Sequence, residues 1–495
     1  MDTDSTKWLK LRSGSDIRSS VQLLDDETCE RIGFAWATML AQRLKTTPDK
    51  LVIAVGRDAC ESGRRIKAAL IRGITAADSD VLDGGVCAMP ALFMAATRGI
   101  RPEAGEGEED AASISADGDV MVTGGDLDAS VNGMKFMARD GGLHGADVAL
   151  LLRMAAANEV PERLVVRTGI MDAYRDFLLE VAAQLLKDDA LKPLLGLYAV
   201  VDTGSTGGAF FAKLIEALGA DIERPNPGES MSDAVRRFGA DMGFGFDMDS
   251  SRAHIWDQTG RPVDGNRLIA LIASILLEAR PGATFVTDSV TSTGLTAFIQ
   301  EWGGIHYRFK RGYRKVIGEA IRLNSEGIDC PLAIETSGHA AFRENGCLDD
   351  GVYLALRVAC EALDCKREGR TVFDPLNDLS EPVETLALRL RILDDEDPDA
   401  AIQEVVEVIL SHTLEDPEWV MAPDSREGVR ITFNLDGGIS NAWFQLRMSV
   451  HDPVMVLDAE SDVPGGVKRV LSELYELIRE TELLALEPLR AALDR

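Results

Sequence analysis

A series of similar α/β domains followed by a smaller α+β domain is what this 495-residue sequence predicts. Two observations carry that expectation. First, a unit of apolar strand, Asp-containing polar turn, helix, glycine and second strand occurs three times, at Leu51–Asp58, Leu197–Asp202 and Thr284–Asp288. That order is the βαβ signature of a parallel sheet covered by helices. Second, the apolar period changes to two beyond Glu384. Leu386, Leu388, Leu390 and Ile392 alternate, as do Val429, Ile431, Phe433 and Leu435, and then Ala442, Phe444, Leu446 and Met448. Such alternation marks strands with one buried face.

Taken in order, Lys10–Arg18 packs cations, hydroxyls and a glycine into a loop able to wrap an anion, although a surface turn reads equally well. After Leu51–Asp58 a helix is expected over Gly63–Ala77 and a strand at Asp80–Asp83. Arg101–Asp119 is acidic, glycine-rich and aperiodic, as an exposed insertion would be. Val120–Phe136 reads as a strand, a glycine-paired turn, a second turn at Asn132-Gly133, and another strand. In the second unit Phe211, Leu214, Ile215 and Leu218 share a helix face; in the third, Leu295, Phe298 and Ile299 do so. Gly312–Arg322 is amphipathic and carries Tyr313, Arg314 and Lys315, and Val467, Val470, Leu471, Leu474 and Ile478 mark a closing helix.

Three turns carry candidate chemistry. In Gly243–Arg252 a short buried strand ends with Asp247 and Asp249 two residues apart. Residues i and i+2 point the same way on extended chain, so both carboxylates could meet one hard cation such as Mg²⁺, with Ser251 a weaker neutral ligand and Arg252 beside them. A solvated turn would use the same residue types. Leu332–His339 ends a strand with Glu335, Thr336, Ser337 and His339, hydrogen-bonding side chains suited to a sugar or to an internally satisfied loop. Arg447, Ser449 and His451, in a turn after one of the alternating strands, could hold a phosphate.

With 52 Lys+Arg against 82 Asp+Glu, the formal charge of −30 argues against nucleic acid or an anionic membrane as partner. Any anionic ligand must be met by local arginines, lysines and backbone amides. Seven scattered cysteines without a Cys-x-x-Cys pair indicate a reduced interior. No apolar run approaches the roughly 18 residues of a membrane span, and the acidic opening lacks the apolar stretch of a secretory signal. The expected location is cytoplasmic.

In order and content these turns resemble those of the α-D-phosphohexomutases, the phosphoglucomutase and phosphomannomutase family, from near Lys10 to the C-terminus. Asp247-Met-Asp-Ser-Ser-Arg252 matches its metal loop, Glu335-Thr-Ser-Gly-His339 its sugar-recognition loop, and Arg447-Met-Ser-Val-His-Asp-Pro453 its phosphate loop. Gly14-Ser-Asp-Ile-Arg18 resembles the N-terminal anchor, and Asp349-Asp350-Gly351 also agrees. The resemblance implies three similar α/β domains around a central cleft, over residues 1–158, 159–264 and 265–378, and an α+β domain over 379–495. It implies interconversion of hexose 1-phosphate and hexose 6-phosphate by a monomer or homodimer. Mg²⁺ would serve as cofactor, with glucose or mannose 1,6-bisphosphate as primer. Substrate binding falls to Arg18, Arg252, Glu335, Ser337, His339, Arg447, Ser449 and His451, and metal binding to Asp247, Asp249 and Ser251.

The chain departs from the family pattern at the reacting group. Where the family has a phosphorylated serine followed by histidine, this chain has Gly125 and Asp126, and Ser251 replaces the third metal aspartate. Nothing on Gly125 can accept a phosphoryl group, and two carboxylates hold a dication less well than three. Asp126, Ser130 and Thr123 are the substitute acceptors within reach along the chain. Loss of turnover, leaving a sugar-phosphate-binding or mutase-pairing regulator, is the alternative.

Overall fold

The computed structural model describes residues 7–100, 114–157, 166–167, 169–186, 192–393, 398–449, 454–481 and 483–494. They pack as two units: Met1–Val263 with Gly338–Val372, and Asp264–Ser337 with Phe373–Arg495. Mixed α/β sheets under helices build most of both, as the repeated strand–turn–helix pattern requires.

In the first unit the central strands Val52–Arg57, Asp80–Val86 and Gly118–Val122 run parallel, and Val131–Ala138 and Asp16–Ser20 extend the sheet antiparallel. Ile53, Val55, Val120 and Val122 face the helices Asp26–Leu44 and Gly63–Ala76 in one apolar core. A second sheet carries Asp221–Glu223, Tyr198–Val201 and Met242–Phe246 in parallel, followed by Ala253–Trp256 and Pro262–Val263 antiparallel. Phe246 pairs with Ala253, so Asp247–Arg252 is the loop of a hairpin between a parallel and an antiparallel strand. Its strand is buried throughout, as expected from Gly243-Phe-Gly-Phe.

Asn132-Gly133 is not a turn. Both residues lie within the strand Val131–Ala138, and the chain reverses at Thr123–Ser130 instead. The glycine serves close approach: a Cβ at Gly133 would stand 2.1 Å from the Ile17 carbonyl and 2.6 Å from Arg18 Cδ. Asn132 is buried and donates to Ser62 Oγ at 2.7 Å. Of the expected insertion, 101–113 fall outside the described residues, while Gly118 and Asp119 are buried in a strand.

In the second unit Ile305–Arg308, Thr284–Thr287 and Leu332–Ile334 run parallel, with helices Gly265–Ala279, Thr293–Glu301 and Tyr313–Ser325. The C-terminal sheet is antiparallel, in the order Glu384–Arg391, Val454–Ser461, Ala442–Met448, Val429–Phe433, Val420–Met421. Its apolar face packs on helices Pro398–Glu415 and Gly466–Ile478. One buried face was expected for the strands Val429–Phe433 and Ala442–Met448, yet their other face is buried too, carrying Arg430, Thr432, Trp443, Gln445 and Arg447. Among the described residues no helix is long and apolar enough to cross a membrane.

Candidate functional site

In the first unit the hairpin loop and the Thr123–Ser130 turn meet through their side chains. Asp126 projects from the turn with 67% of its side chain exposed, and its Oδ2 lies 3.2 Å from Arg252 Nη2. Partial burial works against its charge, but Arg252 outweighs that and holds the carboxyl below the usual range. Arg18 closes the turn by donating from Nη1 to the Thr123 carbonyl at 2.7 Å and pairs with Asp16 at 3.6 Å. Gly125 has φ +62°, and a Cβ there would sit 3.3 Å from Arg18 Nη1. The other candidate hydroxyls diverge: Thr123 is fully buried and its Oγ1 accepts from Gly125 N, whereas Ser130 is exposed at the far end of the turn.

Asp58, not anticipated from the sequence, organises this turn. It follows the strand Val52–Arg57 and is wholly buried, accepting from Cys60 N at 2.9 Å and Gly124 N at 3.1 Å. Lys135 was also missed. It lies on the strand Val131–Ala138 with 7% of its side chain exposed, and its Nζ stands 2.7 Å from Asp249 Oδ2. A lysine between Met134 and Phe136 in a central strand demands a buried carboxylate partner, and that was the signal available.

The Asp247–Arg252 loop is satisfied from within. Arg252 donates from its backbone N to Asp247 Oδ1 at 3.1 Å and from Nε to Oδ2 at 2.9 Å. Ser251 Oγ lies 2.8 Å from Asp249 Oδ1 and 3.2 Å from Asp247 Oδ2. Burial and the neighbouring Asp249 push Asp247 upward; Asp249, although buried, is held low by Lys135 and by the Ser251 hydrogen bond. As arranged, the donor set does not fit a divalent cation. Each carboxylate oxygen faces a protein donor, and the described residues contain no cluster of three or more His, Cys, Asp or Glu placed to hold a metal.

His339 also belongs to the first unit, its Nδ1 2.7 Å from Asp349 Oδ2 and its backbone bridged to Arg252. Glu335 and Ser337 lie in the second unit. Glu335 accepts from Gly312 N at 2.5 Å and from Ser337 Oγ at 3.2 Å. In the same unit Arg447 is 4% exposed and its Nη2 lies 3.2 Å from Asp458 Oδ2, while its Nε is buried without a hydrogen-bond partner among the described residues. Ser449 N bonds the Val454 carbonyl at 2.9 Å. His451 lies outside the described residues.

Layered α/β domains whose charged turns follow their strands, with a C-terminal α+β sheet, define a multi-domain α/β protein of phosphohexomutase architecture. Residues 10–160 match the model described as phosphoglucomutase/phosphomannomutase, alpha/beta/alpha domain I, and residues 264–382 match that of domain III. The chain belongs to the phosphoglucomutase/phosphomannomutase family. It is 28% identical to a phosphomannomutase/phosphoglucomutase of Pseudomonas putida across 96% of this chain and 95% of that protein. It is 26% identical to a phosphomannomutase of Escherichia coli across 91% and 94%. A solved structure of a phosphoglucomutase/phosphomannomutase family protein from Burkholderia thailandensis shares the fold at TM-score 0.75 and 22% identity, covering 97% of this chain and 98% of that one.

Proposed function

We propose that this protein interconverts hexose 1-phosphate and hexose 6-phosphate, with Asp126 accepting and returning the phosphoryl group in place of the family serine. The observation that carries this reading is the Asp126 carboxylate, mostly exposed, ionised, and held by Arg252 beside a glycine that offers no hydroxyl. Relatives of near-equal length named phosphomannomutase/phosphoglucomutase support the substrate class. In the forward half-reaction a carboxylate oxygen of Asp126 attacks phosphorus of the bisphosphate primer. The bond from phosphorus to the sugar oxygen breaks, and that oxygen takes up a proton. The acyl phosphate then passes its phosphoryl group to a hydroxyl of the next sugar phosphate, whose proton is released. Arg447 and Ser449 bind the non-reacting phosphate, and Glu335, Ser337 and His339 read the sugar hydroxyls.

The test is intact mass after incubation with glucose 1,6-bisphosphate. A gain of one phosphoryl group that hydroxylamine removes, and that Asp126→Asn abolishes, is expected. Absence of any phosphorylated form would instead support a family member that binds hexose phosphates without turning them over.

A further inference from the structure

We propose that the Asp247–Arg252 loop carries its own cations and functions without a resident divalent metal. Two carboxylates, Asp247 and Asp249, are matched by two buried or half-buried cations, Arg252 and Lys135, at 2.9 and 2.7 Å. Each of the two loop carboxylates therefore already has a protein cation against it, Arg252 from the loop and Lys135 from the strand Val131–Ala138. Ser251 is neutral. An aspartate there would add a third negative charge and attract a cation, whereas the serine hydroxyl is a donor and points at the same oxygens a metal would use.

Lys135 is no mobile substitute. Its backbone is held in the middle of an antiparallel pair, Met121 opposite Lys135, and its buried side chain pairs with Asp249. The loop backbone is equally fixed. Met89 N donates to the Asp249 carbonyl at 2.9 Å, and Gly351 N donates to the Ser250 carbonyl at 3.1 Å. Ser250 itself is held at φ +67°, a conformation glycine would adopt with less strain. A divalent ion entering this loop would displace an ammonium from Asp249, break the Ser251 hydrogen bonds and stand beside two like charges. The inference does not depend on the mutase reading, because metal binding is measured without turnover.

The experiment is a titration of the full-length protein with Mn²⁺, followed by electron paramagnetic resonance of the free ion, with circular dichroism to confirm folding. The unmodified protein is expected to bind no stoichiometric Mn²⁺ below about 1 mM, and its Tm should not move with Mg²⁺ or with EDTA. Ser251→Asp should bind Mn²⁺ at least about tenfold more tightly than the unmodified protein. One equivalent bound by the unmodified protein in the micromolar range, displaced by Mg²⁺, would overturn the proposal. So would a folded Ser251→Asp variant with no gain. Should that variant fail to fold, the titration of the unmodified protein decides alone.

Discussion

The hairpin loop of the first unit and the arginine face of the C-terminal sheet in the second both bury charge, and they resolve it differently. In the loop every carboxylate oxygen faces a protein donor. At the sheet's face, Arg308 from the parallel strand Ile305–Arg308 forms an ion pair with Asp424, and Arg447 of the sheet pairs with Asp458. The Arg430 guanidinium donates to the carbonyls of Ser289 and Thr291 and lies over the Trp443 ring, 3.6 Å away. Burial and the neighbouring Arg308 press its pKa downward, and burial raises the adjacent Glu460 to about 7, which dilutes the negative charge nearby. Arg447 keeps a buried Nε without a partner among the described residues. A closed cluster is a structural element; one with a spare cationic donor is prepared for an anion.

The largest effect separating the two is expected from Lys135→Met. It strands Asp249 as a buried charge, which costs about 3–5 kcal/mol, and denaturant unfolding should show that loss. A loss below about 1 kcal/mol would mean the loop is not closed by Lys135. Arg447→Ala comes next. Removing a charge-assisted hydrogen bond should weaken hexose phosphate binding by about 1.5–3 kcal/mol in calorimetric titration with glucose 1-phosphate and mannose 1-phosphate. Unchanged affinity would remove the open cluster from ligand binding.

A smaller effect comes from Asp119, a buried carboxylate that belongs to neither cluster. Neither oxygen has a partner among the described residues, and burial alone raises its pKa well above the usual range. Because the folded-state value lies above the unfolded one, its contribution is fully present below about pH 4 and is lost as pH rises. Asp119→Asn cannot ionise. It should therefore gain on the unmodified protein with rising pH, reaching about 1–3 kcal/mol at neutrality, as read from unfolding at pH 4, 5.5 and 7. Parallel stability curves would show that Asp119 is compensated.

Local patterns made the scaffold legible. Strand Val52–Arg57 and helix Gly63–Ala76 fall where apolar runs and their punctuation place them. The fully buried Met242–Phe246 strand was equally plain. What failed was any feature decided by distant chain. Asn132-Gly133 has the composition of a turn, but the Ile17 backbone closing on Gly133 makes it strand. Arg430 alternates with apolar neighbours and reads as part of an exposed strand face, because nothing local announces that Ser289 and Thr291 cover it. The motifs mark the candidate turns, but not the distant groups that hold them: Lys135, paired with Asp249, and Asp58, accepting from Gly124 N, lie more than 60 residues away in sequence from those partners.

Whether Asp126 carries the phosphoryl group is tested most directly by a coupled assay of hexose 1-phosphate conversion to hexose 6-phosphate. The assay is run with a 1,6-bisphosphate primer on the unmodified protein and on Asp126→Asn. Turnover by the unmodified protein that falls at least about a hundredfold in the variant is the predicted result. Equal turnover by both, or none by the unmodified protein, would contradict it.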